Sequence, residues 1–180
     1  MVSATPAPSD LPSWFFAGRR VPLRVLLRVL RLRLRWGRRL DLGKGAAVGR
    51  GVRLRLGSDG RLVLGPGAWL GDRCTVVAAG EVRIGAGSLV GPESVLSAAQ
   101  SISVGERCLL GDDVMVSDRA LTVEDALRAG GDRPVVVRPV VVGDGARVGP
   151  RACLLAGSCV GAGCVVGPRE VVVGAVERQL

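Results

Sequence analysis

The chain of 180 residues contains no histidine and no tyrosine, and it has only two phenylalanines and three tryptophans. Without histidine there is no imidazole, the side chain that most often serves as a general base near neutral pH and as a zinc ligand. The shortage of rings argues against an ordinary sandwich or doubly wound sheet, because large side chains normally fill such cores. Abundant valine and leucine, together with 27 glycines, favour narrow repetitive coils instead.

Aliphatic residues recur every six positions along most of the chain. Six triplets show this spacing: Leu42, Val48 and Leu54; Leu64, Leu70 and Val76; Ile84, Val90 and Leu96; Val104, Leu110 and Val116; Val142, Val148 and Leu154; Val160, Val166 and Val172. The first two members of every triplet are followed by glycine, and the third never is. Regularity at a fixed period indicates a repeat architecture.

Each six-residue unit predicts a short strand and a corner, with the aliphatic side chain inside and glycine where a side chain would crowd the corner. Three units close a triangle, and successive triangles pair as parallel strands about 4.8 Å apart. Residues 42–174 are therefore predicted to form an all-β, left-handed parallel β-helix of about six triangular coils. Residues 175–180 are predicted to be a C-terminal tail.

The six-residue period is lost between Val116 and Val142, and residues 119–135 are predicted to loop out of the coil. An excursion of this length from a strict repeat is usually functional. Residues 122–125 (Thr-Val-Glu-Asp) can cap a short helix that runs to about Ala129.

The five cysteines show no CxxC pair, and their odd number and wide spacing do not indicate a secreted disulfide framework. Cys74, Cys108 and Cys164 occupy the fifth place of the repeat and are expected inside as small core residues. Cys153 and Cys159 fall one place later and are expected to face outward or toward a neighbouring subunit. No metal is expected, since no histidine can complete a zinc site. Reduced thiols predict a cytoplasmic protein.

Positive charge is confined to one segment. Residues 19–44 hold ten Arg or Lys and one Asp, whereas the chain from Gly45 onward has 15 basic and 14 acidic residues. Residues 1–18 are predicted to be a disordered lead and residues 19–41 a basic amphipathic helix. Its arginine stripe contains Arg24, Arg28, Arg31 and Arg35, and the opposite stripe contains Leu23, Leu26, Leu27, Leu30 and Leu34. Arg33 falls among the leucines, which predicts fraying near Leu32.

Two compatible interpretations of this helix are open. It can be a cap that lays its leucines over the first coil, as terminal elements of solenoids do. It can also dock on an anionic membrane surface as a peripheral contact. A nucleic-acid partner is not expected, because no aromatic residues are interleaved with the arginines.

The repeat over residues 42–172, the excursion after residues 114–118 (Val-Met-Val-Ser-Asp) and the restart at residues 138–143 resemble the hexapeptide-repeat acyltransferases. The resemblance is greatest to the branch that acetylates sugars and other small hydroxyl compounds. It implies a homotrimer in which acetyl-CoA or another acyl-CoA lies in a groove between subunits. A carbonic anhydrase of the same architecture is excluded, because its zinc requires three histidines.

In the family, a histidine on or beside the loop removes the proton from the acceptor hydroxyl, in a motif resembling Ile-Ser-Asp-His-x-His. Residues 116–121 read Val-Ser-Asp-Arg-Ala-Leu, so Arg119 and Leu121 occupy the two histidine positions. A guanidinium stays protonated and cannot act as a base. Asp118 and Glu124 are the remaining candidates, although Asp118 can equally satisfy a local turn and Glu124 can cap the loop helix.

The resemblance also implies that Arg147, Gly149 and Gly167 lie along the acyl-CoA groove. The family commonly has Asn-Val-Trp-Ile-Gly in this coil, with the tryptophan walling the acetyl pocket, whereas residues 146–149 read Ala-Arg-Val-Gly. Two hypotheses follow. The chain is a diverged acyl-CoA-dependent O-acyltransferase whose base is Asp118, Glu124 or the substrate itself. Alternatively, it is a non-catalytic structural or regulatory homologue, with a mixed trimer containing an active paralogue as one arrangement.

Overall fold

The structure of the chain is a computed structural model that describes residues 23–121 and 135–177. Several sequence predictions concern other residues. The disordered lead at 1–18, the start of the basic segment at 19–22, the loop helix up to Ala129, the candidate base Glu124 and the last three residues of the tail all lie outside the described residues.

The described chain winds into about six coils whose sides form three parallel sheets. The first sheet contains β1 (Leu40–Leu42), β4 (Arg61–Leu64), β7 (Glu81–Ile84), β10 (Ser101–Val104), β15 (Val140–Val142), β18 (Cys159–Val160) and β21 (Ala175–Val176). The second contains β2 (Ala47–Val48), β5 (Trp69–Leu70), β8 (Leu89–Val90), β11 (Leu109–Leu110), β16 (Arg147–Val148) and β19 (Val165–Val166). The third contains β3 (Arg53–Leu56), β6 (Thr75–Ala78), β9 (Val95–Ala98), β12 (Met115–Ser117), β17 (Cys153–Leu154) and β20 (Val171–Val172). The predicted β-helix is confirmed.

Equivalent positions of successive coils stack directly on one another. Leu64 pairs with Ile84, Ile84 with Val104, and Val104 with Val142. The period-six aliphatic residues are all buried except Leu54 of the first coil, which is half-buried. The excursion after β12 does not interrupt the stack, because β10 pairs directly with β15 on the far side of it.

The corner glycines of the first five coils are required by the close approach of the next coil. A Cβ on Gly91 would lie 2.5 Å from the carbonyl carbon and oxygen of Gly111 in the next coil. A Cβ on Gly71 would lie 2.7 Å from Gly91 in the same way. Such distances are shorter than van der Waals contact allows, so a side chain at these corners would push the coils apart.

Small residues at the fifth place fill the interior as predicted. Ser88 is fully buried and satisfied, since its Oγ donates to the Gly105 carbonyl at 2.6 Å and accepts from the Cys108 N–H at 2.9 Å. Three cysteines, Cys74, Cys108 and Cys164, are buried, while Cys153 is half-buried and Cys159 is exposed. The predicted inward and outward placement of the thiols is thus confirmed.

A helix, α1 (Leu23–Trp36), and a 3-10 turn (Gly37–Arg39) precede the first strand. The helix packs on the first coil, as the capping interpretation predicts, but the residues that contact the core are Val29, Leu32 and Trp36. The prediction was wrong for three residues of the leucine stripe, Leu27, Leu30 and Leu34, which do not cover the coil. On the other side of the helix, Leu27, Leu30 and Leu34 are 46, 53 and 79 % exposed. This helix is also not long and apolar enough to cross a membrane, and neither is any other helix in the described residues.

Arginines explain both the choice of face and the length of α1. Arg28 donates to the Val48 carbonyl at 2.9 Å, and Arg33 donates to the Leu42 carbonyl at 2.5 Å. These carbonyls belong to the first coil, and in the part of the chain that the structure describes no coil precedes it to supply N–H donors. Arg33 therefore holds the end of the helix in place, and the predicted fraying near Leu32 is replaced by a helix that continues to Trp36.

Candidate functional site at the base of the loop

The loop leaves the third sheet as an antiparallel ladder. After β12, the strands β13 (Arg119–Leu121) and β14 (Val135–Val137) pair with Arg119 opposite Val137 and Leu121 opposite Val135. The base of the ladder is tied to the coil, because the Arg138 N–H donates to the Asp118 carbonyl at 2.9 Å. The point where the loop leaves the coils is thus a fixed part of the triangular β-helix, here called the prism.

Asp118 lies at this base with its carboxylate fully buried. Its Oδ1 accepts the N–H of Ala99 at 2.7 Å, and its Oδ2 accepts the N–H groups of Gln100 and Ser101 at 2.6 and 3.0 Å. Both oxygens therefore hold the corner between β9 and β10 in the preceding coil. The structural alternative predicted for Asp118 was a local turn, and the structure shows a contact with the preceding coil instead. Both carboxylate oxygens are directed at backbone amides of that corner and not at a substrate.

Arg119 and Leu121 occupy the two histidine positions implied by the family motif. The Arg119 side chain is exposed at the base of the ladder, and the backbone N–H of Arg119 donates to Ser117 Oγ at 3.2 Å. Leu121 ends β13 opposite Val135. The chemistry available at the first position is thus a permanent positive charge and five N–H donors.

A groove of about 520 Å³ runs from the end of α1 across β3 and β6 to the base of the loop. We call it the arginine groove, because Arg35, Arg55 and Arg119 line it. The rest of the lining is apolar or backbone: Trp36, Leu54, Leu56, Gly57, Val77, Ala78 and Ala79. No carboxylate is among these lining residues, all of which belong to the described chain. Three guanidinium groups over an apolar floor suit a ligand with a phosphate or carboxylate group and an apolar part.

Sequence reasoning missed this groove. Its arginines come from α1, the first coil and the fourth coil, and they meet only because the coils stack in register. One signal was present, however. The third aliphatic of each triplet is followed by a residue other than glycine, so these residues form an outward column on the third sheet that begins with Arg55 and Val77.

The residues predicted for the acyl-CoA groove lie on another side of the prism. Gly149 and Gly167 are stacked corners, and a Cβ on Gly149 would lie 2.6 Å from the Pro168 nitrogen. The Gly167 N–H donates to Glu170 Oε2 at 2.6 Å, and the Arg147 side chain is exposed on β16. Close backbone packing accounts for Gly149, whereas a Cβ on Gly167 would meet only the side-chain Oε2 of Glu170, at 3.1 Å. A role for the three residues in acyl-CoA binding stays a prediction.

A second cleft, of about 540 Å³, lies along the corner that carries these glycines. Its charged lining is mixed: Arg73, Glu93, Asp112, Asp113, Arg151 and Arg169. Arg73 pairs with Glu93, and Arg151 lies 3.6 Å from Asp113. Opposite charges cancel here, so this cleft attracts an anion less strongly than the arginine groove does.

The buried thiols are not candidate nucleophiles. Burial raises the pKa of the Cys74 thiol to about 12 and also raises the pKa of Cys108. Both thiols are therefore protonated near neutral pH, whereas a nucleophilic cysteine requires the thiolate. Within residues 23–121 and 135–177, no cluster of histidine, cysteine or acidic side chains is arranged to hold a metal ion.

Comparison with known proteins defines what this architecture resembles. No protein-family model matches the sequence, and no curated protein matches it either. Solved structures do match. An aspartate variant of AntD, an N-acyltransferase from Bacillus cereus in complex with dTDP and coenzyme A, gives a TM-score of 0.71 at 15% identity over 82% of this chain and 80% of that chain. A serine variant of AntD gives 0.68 at 15% identity over 81% and 79%.

The polySia-specific acetyltransferase NeuO gives a TM-score of 0.52 at 17% identity, over 76% of this chain and 78% of that chain. The chain has the left-handed β-helix fold of these acyltransferases. At such low identity the shared property is the fold, and the chemistry has to be argued from the residues of this chain.

Proposed function

We propose that this chain binds acyl-CoA and transfers its acyl group to a hydroxyl or amine of a sugar or similar small acceptor. The observation that carries the proposal is the arginine groove at the base of the loop, on a fold shared with acyltransferases. Coenzyme A and dTDP, the two ligands of the AntD structure, both carry phosphate groups. A groove with three guanidinium groups supplies the bidentate donors that recognise phosphate.

The reaction would proceed by attack of the acceptor oxygen or nitrogen on the thioester carbonyl. The new C–O or C–N bond forms, the C–S bond breaks, and the proton of the acceptor ends on the coenzyme A thiolate. Arg119 can balance negative charge on the carbonyl oxygen or a phosphate but cannot remove the proton. Because Asp118 is occupied by three backbone amides, the base is Glu124 or the acceptor itself.

An amine acceptor requires the least from the protein. Its neutral form already has a lone pair that attacks a thioester, whereas a hydroxyl is a weak nucleophile that needs a positioned base. AntD is an N-acyltransferase, so amines are acceptors on this fold. The absence of histidine from the chain is thus compatible with turnover on an amine.

Calorimetric titration with acetyl-CoA, and separately with dTDP, tests the proposal. We expect acetyl-CoA to saturate at about one site per chain, and Arg55→Gln and Arg119→Gln to weaken binding of one of the two ligands by about tenfold or more. Arg50→Gln is the matched control, because the Arg50 side chain is 84% exposed and lies outside the groove. No heat with acetyl-CoA at millimolar concentration, together with an unshifted melting temperature, would reject the proposal.

A second candidate function is a non-catalytic subunit with this fold. The observation that favours it is the engagement of Asp118 together with arginine and leucine at the two histidine positions. On this alternative the purified chain shows no turnover with amine or hydroxyl acceptors and co-purifies with a histidine-bearing relative in a mixed trimer. On the first proposal it forms a homotrimer that turns over alone. Analytical ultracentrifugation and a coenzyme A release assay separate the two.

A further inference from the structure

We propose that the exposed side of α1 docks the protein on an anionic lipid surface. The docking surface, here called the leucine face, consists of Leu27, Leu30 and Leu34. This proposal does not depend on the proposed acyl transfer, because none of the three leucines lines the arginine groove. It rests on two properties of the helix surface, which together form its physical signature.

The first part of that signature is an apolar face that no element of residues 23–121 and 135–177 covers. Leu27, Leu30 and Leu34 are 46, 53 and 79 % exposed in the described chain. Their spacing places them on one side of a helix, and Val29 and Leu32 lie on the opposite side against the core. The helix is therefore already anchored to the prism by one face, while a second apolar face remains in water.

The second part is charge of a single sign beside the leucine face. Arg31, Arg35, Arg38 and Arg39 all have exposed side chains. No acidic residue occurs in the sequence from residue 11 to residue 40. An apolar face bordered by arginines, on a helix of only 14 residues, is typical of helices that lie in the plane of an anionic membrane interface.

The same charges argue against other occupants. A second copy of the chain would bring two arginine-rich surfaces together, and like charges across an apolar contact oppose association. A nucleic acid would satisfy the arginines but leave the leucines in water. An anionic lipid surface accommodates both, because phosphate groups meet the guanidinium groups and acyl chains receive the leucines.

Docking would also orient the candidate site. Arg35 and Trp36 belong to α1 and line the arginine groove, so the groove begins where the helix meets the prism. A docked helix therefore places the mouth of the groove close to lipid headgroups. This geometry favours a substrate that is itself held at the membrane surface.

Flotation of the full-length protein with lipid vesicles tests the proposal. We expect binding to vesicles of 30% phosphatidylglycerol in phosphatidylcholine at least about tenfold tighter than to pure phosphatidylcholine, and weaker in high salt. The triple variant Leu27→Gln, Leu30→Gln, Leu34→Gln should bind the anionic vesicles at least about tenfold less tightly. These leucines are exposed, so the variant should keep its β-rich circular dichroism spectrum and melting temperature.

A matched triple variant controls for general loss of surface hydrophobicity. Val165, Val171 and Val173 are 58, 60 and 72 % exposed on the last coil, away from α1. Replacing all three with glutamine should change vesicle binding by less than about twofold. The proposal would be overturned if wild type and the leucine variant bound anionic vesicles equally well. It would also be overturned if the protein bound a soluble acidic polypeptide but showed no affinity for anionic vesicles.

Discussion

Replacing Asp118 with asparagine should lower the free energy of unfolding by about 2.5–4 kcal/mol and leave acetyl-CoA binding unchanged. The buried carboxylate accepts three backbone N–H bonds, two of them on Oδ2. Asparagine keeps one acceptor oxygen, so it can keep two of these bonds at reduced strength. Its amide NH₂ would then face the N–H of Ala99, leaving donors opposed in a buried corner.

The magnitude follows from those contacts. A hydrogen bond to a charged group is worth about 1.5–3 kcal/mol, and an unsatisfied buried donor costs about 1–3 kcal/mol. The lower part of the summed range is expected, because the corner near Gln100 can relax and admit water. Urea unfolding at one fixed protein concentration measures the change, since oligomerisation would shift apparent stability.

Asp113→Asn is the matched control for this substitution. Asp113 is also an aspartate at a corner, but its side chain is 59% exposed and its ion pair with Arg151 is 3.6 Å long. Asparagine tolerates the positive φ of 55° at this position, so the expected change is below about 0.5 kcal/mol. An unfolding free energy of Asp118→Asn equal to that of wild type, combined with abolished turnover, would refute the structural role of Asp118.

Three further outcomes test the coil geometry. Gly91→Ala should destabilise the protein by about 1–3 kcal/mol or more, because its Cβ would lie 2.5 Å from the next coil. As a control in the same urea assay, Gly57→Ala should cost less than about 1 kcal/mol, because the nearest atom to its Cβ would be 3.5 Å away. In a thiol-reagent titration, Cys159 should react first, Cys153 more slowly, and the three buried thiols only on unfolding; a third fast thiol would contradict the register. Burial holds the pKa of the Cys74 thiol at about 12, above its ordinary value of 9.0. The free energy of unfolding should therefore be constant below pH 9 as far as this thiol is concerned, and should fall as the pH rises from 9 toward 12. A Cys74→Ala variant whose free energy of unfolding falls equally steeply over this range would contradict the prediction.

The β-helix could be predicted from the sequence because its signal is local and repeated. Each unit carries its own aliphatic residue and corner glycine, and the same contacts recur at every coil. One unit that departs from the pattern does not change the prediction, because the other units still show it. Leu54, for example, is only half-buried although its five equivalents are buried.

The packed face of α1 could not be predicted in the same way. The helix has two apolar sides, one with Leu27, Leu30 and Leu34 and one with Val29, Leu32 and Trp36, and helical periodicity does not rank them. The choice depends on Arg28 and Arg33 reaching the carbonyls of the first coil, which is a tertiary contact. The capping interpretation placed the leucine stripe on the first coil, yet Leu27, Leu30 and Leu34 of that stripe are exposed.

The candidate site shows the same limit. The motif comparison identifies the base of the loop, and the structure places Asp118 and Arg119 there. The motif comparison cannot distinguish a carboxylate that reacts from one that supports a corner, because the difference lies in three N–H groups from the preceding coil. Nor does it reveal that Arg35 and Arg55 approach the same groove.

The absence of histidine from the chain and the composition of the arginine groove bear on the same question, which is whether the chain binds an anionic ligand. Three arginines around an apolar floor, with no carboxylate among the lining residues, repel one another and weaken the folded state. An anionic ligand removes that repulsion and offsets the cost. Melting temperature should therefore rise with acetyl-CoA or dTDP in wild type and rise less in Arg55→Gln, whose unliganded form should be at least as stable as wild type. A lower melting temperature for unliganded Arg55→Gln would mean that Arg55 serves the fold and not a ligand.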